Sequence, residues 1–243
     1  MILYGKPVAD ALRKQYAEWI EAMAWKCTLT VIKNETSDKG YLAAIQREAE
    51  RWKVNLMYAE DLKQAAQMQG VRVIDLRRNA ARKLHGFYAV DGQSDVGREK
   101  AYVGEMYADT PCTAEAIIRI LDYYDIPIAG KNAVVIGRSE RVGKPTAMLL
   151  LARDATVRVC HSKTDKGNLL ELVALLELVA GADIVVCASG QKGLIDWTCV
   201  PDGCTVINVG GDYDEYDESL NLIPFKGGVG PVTTAVLMSH VLM

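Results

Sequence analysis

A glycine-rich turn in the second half of the chain has the residue types that a phosphate-binding site needs. It follows an apolar, strand-like run, precedes a helical pattern, and reads Gly137-Arg138-Ser139-Glu140-Arg141-Val142-Gly143-Lys144-Pro145. Glycine lets backbone N–H groups approach an anion, and the amino end of a helix adds a partial positive charge. The turn lacks the G-x-G-x-x-G spacing of common dinucleotide sites, so a strand-to-helix turn with a purely structural role is the alternative.

The end of the next strand-like run indicates which dinucleotide would suit this turn. NAD sites usually place a carboxylate about 20 residues further on, where it accepts a hydrogen bond from the ribose. Here the run ends in His161-Ser162-Lys163-Thr164, and no carboxylate comes before Asp165. Arg138 and Lys163 could bind a 2′-phosphate, with Ser162 donating a hydrogen bond, which favours NADP over NAD. For Lys163 a solvated surface lysine is the alternative.

The elements that must position these residues alternate between strand and helix. Around the turn, strands are predicted at 132–136, 156–160, 183–188 and 205–209, with helices ending near 153 and spanning 169–180. This order is typical of a doubly wound parallel sheet of the Rossmann type. In the first part of the chain, helices predicted at 8–25, 41–52 and 71–84 alternate with strands at 27–32 and 86–90. That region therefore also favours an α/β architecture.

Composition is typical of a globular protein and disfavours several functional classes. Of 243 residues, 50% are hydrophobic and 24% charged, with a formal net charge of -3. A nucleic-acid binder normally has a basic excess, and no apolar run reaches the ~18 residues of a membrane-spanning helix. The amino-terminal sequence has no secretion-signal pattern, and the six cysteines include no Cys-x-x-Cys pair. We therefore expect a cytoplasmic protein with reduced thiols, no metal site, and no nucleic-acid or membrane partner.

Taken together, the motifs resemble those of the methylenetetrahydrofolate dehydrogenase/cyclohydrolase family, the family of the bifunctional FolD protein. The resemblance rests on the turn at 137–145, the segment at 160–164, Pro111-Cys112-Thr113, and the loop Gly227-Gly228-Val229-Gly230-Pro231-Val232-Thr233. Tyr4-Gly5-Lys6 also resembles the family's opening Asp-Gly-Lys. Because the central motifs occur in the family's order and the likeness runs over most of the chain, the chain is identified as a divergent member of this family.

The resemblance implies a fold and a reaction. An amino-terminal α/β substrate domain at 1–124 would be followed by an NADP-binding, Rossmann-like domain at 125–226. A loop and helix at 227–243 would complete the first domain. The family transfers a hydride from 5,10-methylenetetrahydrofolate to NADP and hydrolyses the methenyl product to 10-formyltetrahydrofolate. Its members are commonly homodimers, so a homodimer with a small-molecule folate substrate is expected.

The resemblance also implies which residues contact each ligand. The expected NADP contacts, including those inferred from the turn itself, are Gly137, Arg138, Ser139, Val142, Gly143, Ser162, Lys163 and Gly211. The expected folate contacts are Tyr41, Gly227, Gly228, Val229, Gly230 and Pro231. Tyr41 would be the catalytic residue that remains.

The substrate half departs from the family's pattern at the residues that handle protons. The family's catalytic helix carries Tyr-x-x-x-Lys, in which both side chains share one face; here Tyr41 is followed four residues later by Ile45. Isoleucine can neither donate a proton nor polarise a water molecule. Val90 stands where the family has a glutamine that holds the lysine. The pterin-binding aspartate survives at best as Asp91 or Asp95, in a segment that is shorter than in the family.

These departures predict an NADP-dependent methylenetetrahydrofolate dehydrogenase whose cyclohydrolase activity is weak or lost. Hydride transfer mainly requires two bound rings to be positioned, because the cofactor supplies the hydride chemistry. Hydrolysis requires an activated water and acid–base help, so it depends more on the missing lysine. Two alternatives stay open: an NADP-binding regulatory relative that has lost folate catalysis, and an enzyme of the same scaffold that acts on another substrate.

Overall fold

The computed structural model of the protein contains two parallel sheets in two compact units. The structure describes residues 1–35, 37–65, 67–68, 72–76, 88–89, 110–161, 164, 179–192, 197–212 and 218–243. One unit comprises Ala9–Cys112 and Thr233–Met243, and the other comprises Met1–Val8 and Thr113–Val232. The α/β class is confirmed. The family's functional domain boundaries, expected after residues 124 and 226, stay a prediction.

The first sheet lies in the unit that contains residues 9–112. Its strands are β1 (Thr28–Ile32), β2 (Asn55–Ala59), β3 (Arg72–Asp75) and β4 (Tyr88–Ala89), in the parallel order β2-β1-β3-β4. The helices along this part of the chain are α1 (Gly5–Gln15), α2 (Ala17–Ala22), α3 (Lys39–Arg51) and α4 (Leu62–Ala65). Strand β1 is central, and its Leu29, Val31 and Ile32 are fully buried. Thr30 between them is buried as well. Burial of consecutive residues is typical of a parallel strand that is covered on both faces.

A buried carboxylate fixes helix α3 against helix α1. The Glu48 side chain accepts hydrogen bonds from the Arg13 guanidinium (2.8 Å), the Trp52 indole N–H (3.0 Å) and the Arg51 guanidinium (3.2 Å). Pairing of this kind is what allows a carboxylate to be buried without a large desolvation penalty. Since Tyr41 and Ile45 lie on the same helix, this network also sets their orientation.

Residues 72–75 correct one prediction, that of a helix over 71–84. They form strand β3, which pairs in parallel with β1 from Leu29 opposite Arg72 to Ile32 opposite Asp75. Val73 and Ile74 are β-branched and buried, so the open edge of β1 outweighs the weak helical periodicity. Residues 77–84 lie outside the described part of the chain. The helix predicted over 8–25 is divided into α1 and α2.

The second sheet has five parallel strands and lies in the unit that contains residues 113–232. Its order is β6-β5-β7-β8-β9, with β5 (Asn132–Ile136), β6 (Thr156–Cys160), β7 (Ile184–Cys187), β8 (Thr205–Asn208) and β9 (Asn221–Ile223). The remaining helices are α5 (Cys112–Tyr123), α6 (Gly143–Leu151), a short 3-10 turn (Trp197–Cys199) and α7 (Val229–Leu242). This doubly wound arrangement confirms the Rossmann-like prediction. Of the helix predicted over 169–180, residues 169–178 lie outside the described part.

Both sheets reverse their strand order at one point. In the second sheet the chain runs from β5 to β6 on one side and then returns to place β7 on the other side of β5. Open parallel sheets bind ligands outside the carboxyl ends of the strands at such a switch point. A ligand of this unit is therefore expected near Gly137, which follows β5, and Ala188, which follows β7. Within the described ranges, no helix combines the length and apolarity required to cross a membrane.

Asp183 joins the opposite, amino-terminal ends of β5 and β7. Its carboxylate accepts hydrogen bonds from the Asn132 N–H (2.8 Å) and the Lys131 ammonium (3.1 Å). The hydrogen bond from Asn132, and then that from Lys131, lowers the pKa of Asp183. A depressed pKa stabilises the fold above the ordinary aspartate pKa of about 3.9, and this stabilisation is lost as the pH falls through the folded-state value.

We therefore predict that Asp183→Asn lowers the free energy of unfolding at pH 7 and that the difference from wild type shrinks below about pH 4. Urea unfolding at a series of pH values measures this difference. Asp202→Asn, which changes an exposed carboxylate of the same unit, is the matched control and should have little effect at any pH. A difference between wild type and Asp183→Asn that is constant down to pH 3 would contradict the assignment.

Candidate functional site

Gly137 sits where three strands of the second sheet end together. Its N–H donates to the Cys160 carbonyl at the end of β6 (2.8 Å), and its φ of +116° lies in the region that favours glycine. A Cβ atom at this position would overlap the carbonyl oxygen of Ala188, directly after β7. The turn at the switch point can therefore close only because residue 137 has no side chain.

The amino end of helix α6 is capped from within the chain. The Ser139 hydroxyl accepts hydrogen bonds from the N–H groups of Val142 (3.2 Å) and Gly143 (3.3 Å), and the Ser139 carbonyl accepts one from Lys144 (3.1 Å). Residue 145 is proline and has no N–H to donate. An anion at this end of α6 would thus meet side chains and the helix dipole, because the first N–H groups already have acceptors.

Gly143 has a packing role in the same turn. A Cβ atom on it would overlap the carbonyl oxygen of Gly137, so this glycine lets the start of α6 lie directly on the end of β5. Close helix–strand packing is one of the functions that glycine has in dinucleotide-binding turns.

Arg138 projects from this turn into solvent. Its side chain is exposed, and among the described residues its guanidinium has no hydrogen-bond or ion-pair partner. Lys144, by contrast, pairs with Glu140 at 2.5 Å. Ser162 and Lys163, the other residues expected to meet a 2′-phosphate, lie outside the described part of the chain. A guanidinium that is not engaged elsewhere suits bidentate binding of a phosphate.

Sequence reasoning missed a second cluster at the carboxyl edge, centred on Asp212. This residue is 5% exposed, and its carboxylate accepts hydrogen bonds from the Ser189 N–H (3.0 Å), the Ser189 hydroxyl (2.6 Å) and the Gly190 N–H (2.8 Å). Its own N–H donates to the Asn208 side chain (3.0 Å). The turns after β7 and β8 are therefore tied together. The available signal was the pair of small or polar segments, Ala188-Ser189-Gly190 and Asn208 onward, that directly follow buried strands.

Gly211 has no side chain, so the backbone beside the Asp212 cluster is accessible. Its φ is +76°, and the space where a Cβ would stand is bordered by the exposed ring of Phe225 at 3.6 Å. A planar apolar group could reach the backbone there without meeting a side chain of residue 211.

The glycine loop at 227–231 packs against the segment that starts helix α1. Gly227 has a φ of +80°, and its carbonyl accepts a hydrogen bond from the Gly5 N–H (2.8 Å). A Cβ on Gly5 would overlap the Gly228 carbonyl, so the amino ends of α1 and α7 start side by side. Pro231 is the third residue of α7, as expected for a first-turn proline. A Cβ on Gly230 would meet nothing within 4 Å, which leaves open space over that residue.

The residues predicted to act on the substrate lie in the other unit, on helix α3. Asp38 caps this helix, because its carboxylate accepts a hydrogen bond from the Tyr41 N–H (2.9 Å). Tyr41 is half-buried, whereas Ile45, one turn later, has no exposed surface. The position at which the resemblance places the family's lysine thus holds a core side chain. Val90, Asp91 and Asp95 lie outside the described part.

Lys33 is a cation that sequence reasoning did not single out. It follows β1 at the switch point of the first sheet, and its ammonium lies 4.4 Å from the centre of the Tyr58 ring. The Tyr58 hydroxyl accepts a hydrogen bond from the Gln46 side chain (2.9 Å). Lys33 is therefore engaged in a cation–π contact at this edge of the sheet.

The thiols of the second sheet have environments that suppress their reactivity. Burial, and then the charge of Asp212, raises the pKa of Cys187 well above its usual value, while burial raises the pKa of Cys204 to about 12. Neutral buried thiols are poor nucleophiles and poor metal ligands. All six cysteines are free, and the described residues contain no group of three His, Cys, Asp or Glu side chains that could hold a metal ion.

Comparisons with known proteins find similarity along the whole chain. The family profile described as tetrahydrofolate dehydrogenase/cyclohydrolase, NAD(P)-binding domain, matches residues 111–243. The bifunctional protein FolD of Arthrobacter globiformis is 33% identical over 98% of this chain and 92% of its own length. The corresponding protein of Dictyoglomus thermophilum is 34% identical over 100% of this chain and 96% of its own length.

A solved structure gives the same result at the level of the fold. The methylenetetrahydrofolate dehydrogenase-cyclohydrolase of Trypanosoma brucei, crystallised with NADP and an inhibitor, superposes with a TM-score of 0.82. The similarity covers 100% of this chain and 96% of that protein at 24% sequence identity. At this identity the superposition supports the architecture described above.

The overlap at Gly137 leads to a prediction about stability. Gly137→Ala should lower the free energy of unfolding by about 3 kcal/mol or more, because backbone strain adds to a backbone clash. Gly130→Ala is the matched control: its φ is +73°, but a Cβ there would meet nothing within 4 Å. We expect it to cost only about 1 kcal/mol. Equal losses for the two variants in urea unfolding would show that the contact with Ala188 is not limiting.

Proposed function

Because the chain belongs to the tetrahydrofolate dehydrogenase/cyclohydrolase family, we propose that it oxidises 5,10-methylenetetrahydrofolate with NADP and has little or no methenyltetrahydrofolate cyclohydrolase activity. The family profile that matches this chain describes the NAD(P)-binding domain of a tetrahydrofolate dehydrogenase/cyclohydrolase, and the relatives are named as bifunctional FolD proteins. The observation that carries the finer proposal is the complete burial of Ile45 where the family's catalytic helix has a lysine.

The carboxyl edge of the second sheet fits a dinucleotide with a 2′-phosphate. Gly137 and Gly143 bring the turn and the start of α6 close to the sheet, and Gly211 leaves open backbone at the neighbouring strand end. Arg138 would bind the 2′-phosphate, assisted by Ser139 and by Ser162 and Lys163 of the next segment. Val142 would border the same turn. When bound, NADP supplies a hydride acceptor, and the residues of this chain position it.

Of the residues that the resemblance assigns to the folate reaction, those that would bind the substrate are present, whereas the lysine that would transfer protons is replaced. Tyr41 presents a half-buried polar side chain on α3. In the other unit, the loop at 227–231 leaves open space over Gly230. Ile45 presents only hydrocarbon and cannot activate a water molecule. Positioning of two rings is sufficient for much of the rate of a hydride transfer, whereas hydrolysis requires acid–base catalysis.

A homodimer in the cytoplasm, implied by the resemblance, is proposed along with this function. Light scattering of the purified protein measures its oligomeric state, and fractionation of cells measures its location.

The assignment of Arg138 predicts a change in cofactor preference. Arg138→Ala should weaken NADP binding about 10- to 100-fold, because a charge-assisted hydrogen bond contributes about 1.5–3 kcal/mol. Binding of NAD, which has no 2′-phosphate, should change less than about threefold. Calorimetric titration with each dinucleotide measures the two affinities. Arg158→Ala, which removes an exposed guanidinium from β6, is the control; an equal effect on both dinucleotides in Arg138→Ala would contradict the assignment.

The burial of Ile45 predicts a separation of the two activities. The wild-type protein should reduce NADP when given methylenetetrahydrofolate, but should not hydrolyse methenyltetrahydrofolate faster than buffer does. Ile45→Lys combined with Val90→Gln should raise hydrolysis at least about tenfold, since general acid–base catalysis typically contributes 10²–10⁴-fold. Ile45→Met, which keeps the volume and adds no charge, is the matched control and should leave hydrolysis unchanged.

The same assays separate the proposal from its alternatives. Rapid hydrolysis by the wild-type protein would overturn the proposed loss of cyclohydrolase activity. Thermal stabilisation by NADP without turnover of the folate would overturn the dehydrogenase assignment and favour a binding protein, because a ligand stabilises the folded state that it binds.

A further inference from the structure

Asp212 is a buried carboxylate that accepts hydrogen bonds from uncharged N–H and O–H groups. Three hydrogen bonds from Ser189 and Gly190 reach its two oxygens, at 2.6–3.0 Å. Within the described ranges no lysine, arginine or histidine forms an ion pair with it. Its charge nevertheless acts on its surroundings, because it contributes to the raised pKa of the Cys187 thiol. The carboxyl edge of the second sheet thus contains a fixed negative charge without a counter-cation among the described residues.

The strand order indicates which part of a dinucleotide would lie near this charge. A dinucleotide spans the switch point, and its adenosine ribose lies at the end of the second strand of the sheet, here β6. Arg138, directly after β5, is placed for the 2′-phosphate of that half. The nicotinamide half then extends over the ends of β7 and β8, which are the two strand ends that Asp212 ties together.

The two redox states of nicotinamide differ in charge at this end of the molecule. The oxidised ring is a cation, and the reduced ring, which has gained a hydride, is neutral. We propose that Asp212 is a specificity-determining residue that makes this site bind oxidised NADP in preference to NADPH. The inference rests on the proposed use of NADP as cofactor. Weaker binding of NADPH would favour release of this reduced product after the hydride transfer.

The test compares affinities for the two redox states in Asp212→Asn. The substitution keeps the side-chain shape and removes the charge, so it should lower the preference for NADP over NADPH about tenfold, as neighbouring charges within a few ångströms commonly do for an ionic equilibrium. Calorimetric titration of the full chain with NADP and with NADPH gives both dissociation constants. Asp183→Asn makes the same chemical change at the amino-terminal edge of the same sheet and should leave the ratio unchanged.

Each outcome bears on the proposal. An unchanged ratio in Asp212→Asn, or equal losses of affinity for the two forms, would overturn the charge assignment. If Asp212→Asn does not fold, Phe225→Glu places an exposed, ionised carboxylate beside Gly211, the neighbour of Asp212. That variant should raise the preference for oxidised NADP, and no increase would overturn the proposal. A wild-type protein that binds neither form would overturn the proposed cofactor use, and this inference with it.

Discussion

The close approach of two backbones at Gly137 is the constraint on which the dinucleotide unit depends. The Ala188 carbonyl occupies the space that any side chain at residue 137 would need, and the Gly137 N–H is bonded to Cys160 on the other side. The ends of β5, β6 and β7 therefore meet closely at this one residue. Helix α6 can then start directly above, because Gly143 also lacks a side chain where the Gly137 carbonyl lies. Arg138 reaches solvent as a consequence of this turn.

The distribution of charge at this edge differs from that of a site built on a helix amino terminus. Ser139 already accepts from the first N–H groups of α6, so in the described part of this turn the cationic side chain without an ion-pair partner is that of Arg138. The buried negative charge among the described residues of this edge is that of Asp212, two strands away on the other side of the switch point. A ligand with a phosphate at one end and a cationic ring at the other matches this polarity. The same polarity disfavours a ligand that is anionic at both ends, since like charges at a buried site repel strongly.

The sequence was sufficient for the architecture because strand and helix alternate with clear apolar runs around Gly137. It failed over 72–75, within the helix predicted at 71–84, because Val73 and Ile74 fit a weak helical period but lie beside the open edge of β1. Only the tertiary pairing decides such a case. The role of Asp212 was also beyond the sequence. Its partners Ser189 and Gly190 lie more than twenty residues away, and the strand order alone brings the two turns together. The capping role of Ser139 depends on the local turn geometry, which residue types do not specify.

The resemblance implies that this chain lacks both the family's lysine and the glutamine that holds it, and the burial of Ile45 gives the two losses a common physical reason. Ile45 has no exposed surface, so a lysine at this position would have its ammonium taken out of water unless a polar partner met it. According to the resemblance, that partner is the glutamine whose position is Val90 here. Once the glutamine is absent, an unpaired buried ammonium costs several kcal/mol, whereas a buried isoleucine stabilises the fold by about 1.5–3 kcal/mol. Reversion to lysine alone is therefore unfavourable, because the buried ammonium would lack a polar partner. The packing of Ile45 in its own core thus opposes a return of lysine at this position, while the close approach at Gly137 fixes the turn after β5 independently.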